Sequence, residues 1–247
     1  MTGDRPRVAV FRPDDDRLAA ARSLLDDLGA EAVADPMLAV EPTDATPRAA
    51  DYVVFTSKTG AELVAAAGWE PGAATVVAIG PKTADALEAA GYAVDLVPEE
   101  FSSTGLVDLL ADRAADATVE VARSDHGSPV LLDGLRAAGA DVHETVLYRL
   151  VRPEGAGESA ALAAAGALDA ACFTSSLTVE HFLDAAAERG GRDAAVAGLN
   201  DAVVGVIGEP TCETAEARGI AVDVVASEAT FEALARETVA RLRADGG

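Results

Sequence analysis

The chain has 247 residues, 50% of them hydrophobic, enough to bury the core of one large domain or of two ordinary ones. With 19 basic against 42 acidic residues its formal charge is −23, which argues against a nucleic-acid partner and against an anionic membrane surface. The acids are spread over predicted helix faces such as DDDRLAAARSLLDD, which reads as a solvated acidic surface suited to concentrated salt.

Short strands rich in Val, Ala, Ile and Phe alternate with Ala/Leu/Asp/Glu segments at helical spacing, which predicts an α/β fold. In chain order the strands are RVAVFR from Arg7, EAVADPM from Glu31, YVVFTS from Tyr52, TVVAIG from Thr75 and AVDLVP from Ala93. TVEVAR from Thr118, DVHETVLY from Asp141, DAACFTS from Asp169, AVVGVIG from Ala202 and AVDVVA from Ala221 follow. Their near-continuous apolar runs predict parallel strands buried on both faces. No apolar run approaches the ~18–20 residues that cross a bilayer, and the first residues, MTGDRPRVAVFRP, contain no long apolar stretch of signal-peptide type. Cys172 falls in a strand and Cys212 in a helix, with no CxxC spacing, so a reduced, cytoplasmic setting is expected. A monomer is expected as well.

The chain is written twice. FRPDDDRLAAARSLLDDLGAEAV returns as ARSDHGSPVLLDGLRAAGADV, with Arg12 answering Arg123. DYVVFTS returns as DAACFTS, and VVAIGPKTADALEAAGYAVDLV as VVGVIGEPTCETAEARGIAVDVV, with Gly80 answering Gly208. The second copy is longer in its connections, and ERGGRDAAVAGLND is one candidate insertion. Two cuts fit this pattern. One falls near Ala115, between copies; in the other, the first strands of copy one complete the sheet of copy two.

Ligands of open α/β sheets bind outside the carboxyl ends of the strands. Those ends carry Arg12, Thr56, Ser57, Lys58, Gly80, Lys82, Thr83, Arg123, Ser175, Ser176, Gly208 and Thr211. Glycines, hydroxyls and cations beside helix N-termini are the groups that bind anions, although each Ser or Thr alone also reads as an ordinary helix cap. Only two of the 19 basic residues are lysines, and both lie in these loops. Other chemistry lacks support. Ser124, Asp125 and His126 are contiguous and cannot align as a triad. His143 and His181 have no ligand-spaced partners, so no metal site is expected. There is no GxGxxG after a strand and no P-loop, and Trp69 with six phenylalanines makes no stacking platform.

The ordered set of an Arg-Pro after the first strand, FTS, IGPKTADALEAAGY, VPEEFSSTGLVDLL, LRAAGADVHETVLYR, FTSS and a second IG..T block resembles the uroporphyrinogen-III synthase family over nearly the whole chain. One departure is that the second block reads IGEPTCETA where the first reads IGPKTADAL. The resemblance implies two Rossmann-like (flavodoxin-like) parallel-sheet domains facing across a cleft and joined by a two-strand linker. It favours the discontinuous cut, residues 1–37 with 152–247 and residues 38–151 between them. It implies a cofactor-free cyclase, whose substrate hydroxymethylbilane is a linear tetrapyrrole with eight carboxylates. Local cations and N–H donors would then offset the protein's own negative field. Tyr148 in VLYRL matches the family's cleft-facing tyrosine and is the candidate acid, its other reading being a packed strand tyrosine. A hinged two-domain protein that binds a small anionic ligand without catalysis is the alternative function.

Overall fold

The computed structural model describes residues 5–245. The chain begins β1 (Arg7–Val10), α1 (Asp16–Asp27), β2 (Glu31–Ala34), β3 (Ala39–Pro42), β4 (Tyr52–Phe55), α2 (Lys58–Ala66), β5 (Thr75–Ala78) and α3 (Pro81–Ala89). It continues α4 (Ser103–Leu110), β6 (Thr118–Ser124), α5 (Pro129–Ala137), β7 (Asp141–Val151) and α6 (Glu158–Ala164). The last elements are β8 (Ala170–Phe173), α7 (Ser176–Glu188), α8 (Arg192–Asn200), β9 (Val203–Val206), α9 (Glu209–Ala217), β10 (Val224–Val225) and α10 (Phe231–Asp245).

These elements form two compact units. The first joins the chain up to Ala39 with the chain from Val151 onward, and the second is Val40–Leu150. Residue 115 therefore lies inside the second unit, and the seam of the repeat is not a boundary of structure.

In the first unit the sheet order is β10-β9-β8-β1-β2, with every neighbouring pair parallel. β8 and β9 are buried at every residue, as apolar runs without polar alternation require. One face packs Phe11 against Phe173, ring centroids 4.5 Å apart, with Phe182 edge-on at 5.7 Å from each. The other face buries Val8, Val10 and Cys172 under Leu18, Leu25 and Leu234. Burial pushes the Cys172 thiol up to about 12, so it is a core group and not a nucleophile. Asp35, also buried, accepts from the backbone N–H of Gly157 (2.9 Å) and Ser159 (2.8 Å) and from the Ser159 hydroxyl (2.5 Å). This carboxylate fastens the segment leaving the unit to the segment that returns to it.

The second unit has the order β3-β7-β6-β4-β5. Its central strands bury Val54, Val119 and Val121 toward α4 and α5, and Val53, Phe55 and Ala122 toward α2 and α3. Read by position in the sheet, β5-β4-β6-β7 repeats β9-β8-β1-β2. The two units thus share the topology of these four strands, although the first is assembled from both ends of the chain; the fifth strand lies beside β9 in one and beside β7 in the other.

Three strand expectations differ from the structure. AVDLVP is not a strand: only Leu96 bridges to Val77. Asp95 Oδ2 accepts from Val76 N at 2.8 Å, so a side chain replaces the next ladder bond, and Pro98 has no N–H to continue it. Asp223 accepts from Val204 N at the same distance, 2.8 Å, and limits β10 to two residues. One edge of each sheet is thus blunted by the same device. EAVADPM ends at Ala34, and the unpredicted β3 follows. The ERGGRDAAVAGLND insertion folds as α8.

Candidate functional site

In the second unit, β4 delivers Thr56 and Ser57 to the start of α2. Thr56 N bonds back to Ala122 O at 3.5 Å. Ser57 is the N-cap, its Oγ accepting from Gly60 N at 3.0 Å. The same Oγ accepts from the Tyr148 hydroxyl at 3.0 Å. Tyr148 stands on β7, in register with Ser124 of β6, and is 6% exposed. Both acceptor positions of Ser57 are therefore occupied, and its own O–H remains as a donor. Packing around Gly60 is close: a Cβ there would lie 3.1 Å from Ser57 Oγ and 3.2 Å from Leu147 Cδ1.

β5 ends at Ala78, and Gly80, two residues on, is the extended N-cap of α3, with Pro81 in the first helical position. Thr83 is buried in the first turn and serves packing. Lys58 and Lys82 line one hollow of about 660 Å³ between α2 and α3, so the structure brings both lysines together. Glu62 and Asp85 share that hollow, and Lys58 Nζ is 3.2 Å from Glu62 Oε1 in an exposed i,i+4 pair. Among the described residues no carboxylate lies within 4.0 Å of Lys82 Nζ.

Arg123, expected as one of the anion-binding cations, has partners within the protein. Its side chain is buried, with Nε 2.5 Å from Glu144 Oε1 and Nη1 donating to Ser128 O at 2.5 Å. A strand-end arginine without an available face is a structural clamp. The neighbouring Asp125 also serves the fold, accepting from Leu150 N at 3.0 Å and pairing with His126 Nδ1 at 2.9 Å.

The first unit repeats the plan with different chemistry. Ser175 caps α7 in a capping box with Thr178. Ser176 Oγ donates to Pro210 O at 2.9 Å and accepts from Thr214 at 2.8 Å, tying α7 to α9. Gly208 is the extended N-cap of α9, with open space where a side chain would lie. Thr211, buried, keeps the packing role of Thr83. Arg12 is half-buried with its guanidinium carbon 5.0 Å from the centre of the Phe231 ring. Burial lowers its pKa and nearby Arg17 lowers it further, while Asp15 opposes both. Each unit thus presents two helix N-termini and at least one cation that is not fully buried at the carboxyl edge of its sheet, groups of the kind that bind anions.

A family described as "Uroporphyrinogen-III synthase HemD" matches residues 19–236. The chain belongs to the uroporphyrinogen-III synthase family. A relative from Methanothermobacter thermautotrophicus that carries the same family name is 32% identical over 230 residues, 86% of this chain and 90% of its own. A uroporphyrinogen-III synthase from Synechococcus elongatus is 28% identical over 194 residues, 74% of this chain and 72% of its own. Among solved structures, a mutant uroporphyrinogen III synthase from the extremely thermophilic bacterium Thermus thermophilus aligns with a TM-score of 0.69 at 21% identity, covering 97% of this chain and 99% of that one. A uroporphyrinogen-III synthetase from Helicobacter pylori aligns with a TM-score of 0.61 at 16% identity, covering 96% and 100%. The two structures share the fold. Among the described residues no helix is long and apolar enough to cross a membrane, and no cluster of His, Cys, Asp or Glu is placed to hold a metal.

Proposed function

We propose that this chain is a cyclising hydro-lyase that converts hydroxymethylbilane into uroporphyrinogen III and water, with inversion of the last pyrrole ring. Family membership supports the activity, and the Tyr148–Ser57 hydroxyl pair at 3.0 Å carries the mechanism. When substrate is bound, the Tyr148 hydroxyl turns toward the departing hydroxyl group, and Ser57 O–H donates to the tyrosine oxygen in its place. The C–O bond breaks, the Tyr148 proton leaves with the hydroxide as water, and, beside the tyrosinate, an azafulvenium cation remains. The substituted carbon of the last ring attacks it through a spiro intermediate, which opens and recloses with that ring inverted. The ring proton lost at closure restores Tyr148. Leaving group and nucleophile both belong to the substrate, so the protein's main contribution is orientation.

The carboxylate arms meet N–H groups at the heads of α2 and α3 and the ammonium groups of Lys58 and Lys82. Freshly made hydroxymethylbilane, incubated with the purified protein and resolved by isomer, is expected to yield the type III product; unaided closure yields type I. An unchanged type I yield from folded protein would overturn the reading and leave the anion-binding module.

Replacing Lys58 and Lys82 together with glutamine removes two exposed cations and one exposed ion pair. Such pairs contribute only ~0.3–0.5 kcal/mol to a helix, so the thermal midpoint should hardly move. The KM for the bilane is expected to rise roughly fivefold in dilute buffer and to approach the parent value near ~1 M salt, where the Debye length shrinks to about 3 Å. A matching fall in midpoint would place the lysines in the fold and not at the ligand.

A further inference from the structure

Phe101 is 60% exposed, the most exposed large hydrophobic side chain among the described residues. It stands over Gly80, where an added Cβ would lie 3.2 Å from Phe101 Cβ, and closes an apolar hollow of about 330 Å³ with Ile79, Pro81 and Thr83. Gly80 has an extended backbone that any residue adopts, so the glycine is explained by the ring above it. The loop that carries Phe101 is fixed. Ser102 Oγ caps α4 at Gly105 N (3.0 Å) and donates to Glu100 Oε1 (2.6 Å), while Ser102 N bonds Glu100 O (2.8 Å).

The first unit shows that the fold does not need this aromatic. At one constant offset Gly80 corresponds to Gly208, Leu96 to Val224 and Ser102 to Thr230, whose Oγ1 accepts from Ala233 N at 3.2 Å. At that offset Phe101 corresponds to Ala229, and Gly208 has nothing within 4 Å. The same loop and cap form without an aromatic. In the second unit a rigidly presented ring is left in water beside Lys82, which lines the same hollow.

We propose that Phe101, with Gly80, Pro81 and Lys82, forms a subsite for one pyrrole ring of the substrate, an assignment that rests on the reading of this chain as a bilane cyclase. The electron-rich five-membered ring stacks against the exposed face of Phe101, which Gly80 seats closely, and Lys82 pairs with one of its carboxylate arms. An aromatic face with a single adjacent cation matches a ring with anionic arms. Holding one ring limits the turns the bilane can adopt, so Phe101 becomes a specificity-determining residue for the isomer formed.

The test compares the wild-type protein with Phe101→Ala and Phe101→Trp. Phe101→Ala is expected to keep its thermal midpoint, raise KM about tenfold and increase the share of type I product; Phe101→Trp should restore both values. A monopyrrole bearing one acetate and one propionate arm, titrated into 15N-labelled protein, should shift the amide signals of Gly80 and residue 101 in the wild type and not in Phe101→Ala. Unchanged KM and isomer ratio in Phe101→Ala, with type III product from the wild type, would overturn the subsite and leave the cyclase reading intact. An altered association state with unchanged KM would also overturn it, because Phe101 would then serve a protein contact. Type I product from the wild type would remove the parent reading and the subsite with it.

Discussion

Tyr148→Phe is expected to turn over roughly ten- to a hundredfold more slowly than the parent while still giving the type III isomer. The substitution keeps the ring, which is 6% exposed on β7, and removes only the hydroxyl that bonds Ser57 Oγ. Ser57 retains its cap of Gly60 N, so the start of α2 stays in place. Loss of one hydrogen bond between part-buried hydroxyls costs about 1 kcal/mol, a shift of a few degrees in thermal midpoint. Catalytically, a positioned general acid contributes typically ~10²–10⁴ in rate. The lower end applies here because the leaving hydroxide departs from an electron-rich pyrrole that stabilises the cation itself. Single-turnover quench measurements should show the loss in kcat with KM nearly constant, since the phenol acts as charge develops on the departing oxygen and not in ground-state binding. Full activity would make Tyr148 a wall of the site and leave the acceleration to orientation and N–H dipoles. A collapsed midpoint would make it a packed strand tyrosine.

That pair shows where reading a sequence stops. Thr56 and Ser57 are legible as hydroxyls at a strand end, and VLYRL as a strand containing a tyrosine. Their meeting is not legible, because β7 is brought to β4 only through β6 and the contact spans most of the second unit. The repeat carried more information than any single motif. Phe55 and Phe173 both end their strands, β4 and β8, and Gly80 and Gly208 both cap the helices that follow β5 and β9. Strand length was less legible. AVDLVP has the composition of a strand, yet Asp95 turns its carboxylate onto Val76 N, and local composition does not reveal that competition. β3 was hidden for the opposite reason, since its residues become a strand only by pairing with β7. Phe101, a single phenylalanine in the VPEEFSSTGLVDLL segment, gives no sign in the sequence of its exposure. Its exposure follows from the Ser102 cap, which fixes the loop with the ring outward.

Arg12 and Arg123 are equivalent by repeat and opposite in environment, and Arg123→Met is expected to lower the stability of the fold by about 2–4 kcal/mol without altering substrate affinity. The Arg123 side chain is 7% exposed, held by Glu144 on β7 and by the carbonyl of Ser128 at the cap of α5. A Cβ at Gly127 would lie 2.5 Å from Arg123 Cδ, so the loop wraps the aliphatic stem closely. Methionine preserves much of that stem and removes both charged hydrogen bonds. The loss leaves Glu144, 32% exposed, with partial access to water, which keeps the cost below that of a fully buried orphan charge. The ladder between β6 and β7 already shifts register at Arg123/Ser124, so the ion pair holds the strands where backbone pairing is weakest. A fall of roughly 5–15 °C in midpoint should follow. Arg123→Met combined with Glu144→Leu should regain much of it, because an apolar pair removes the unpaired carboxylate. KM measured well below the midpoint should match the parent. Arg12→Met should behave in the reverse way, raising KM with little change in midpoint, since Arg12 is only half-buried and its guanidinium lies over Phe231 without a buried carboxylate partner among the described residues. If Arg123→Met instead keeps its midpoint and loses substrate affinity, the Glu144 pair is not what holds Arg123, and its guanidinium reaches the ligand.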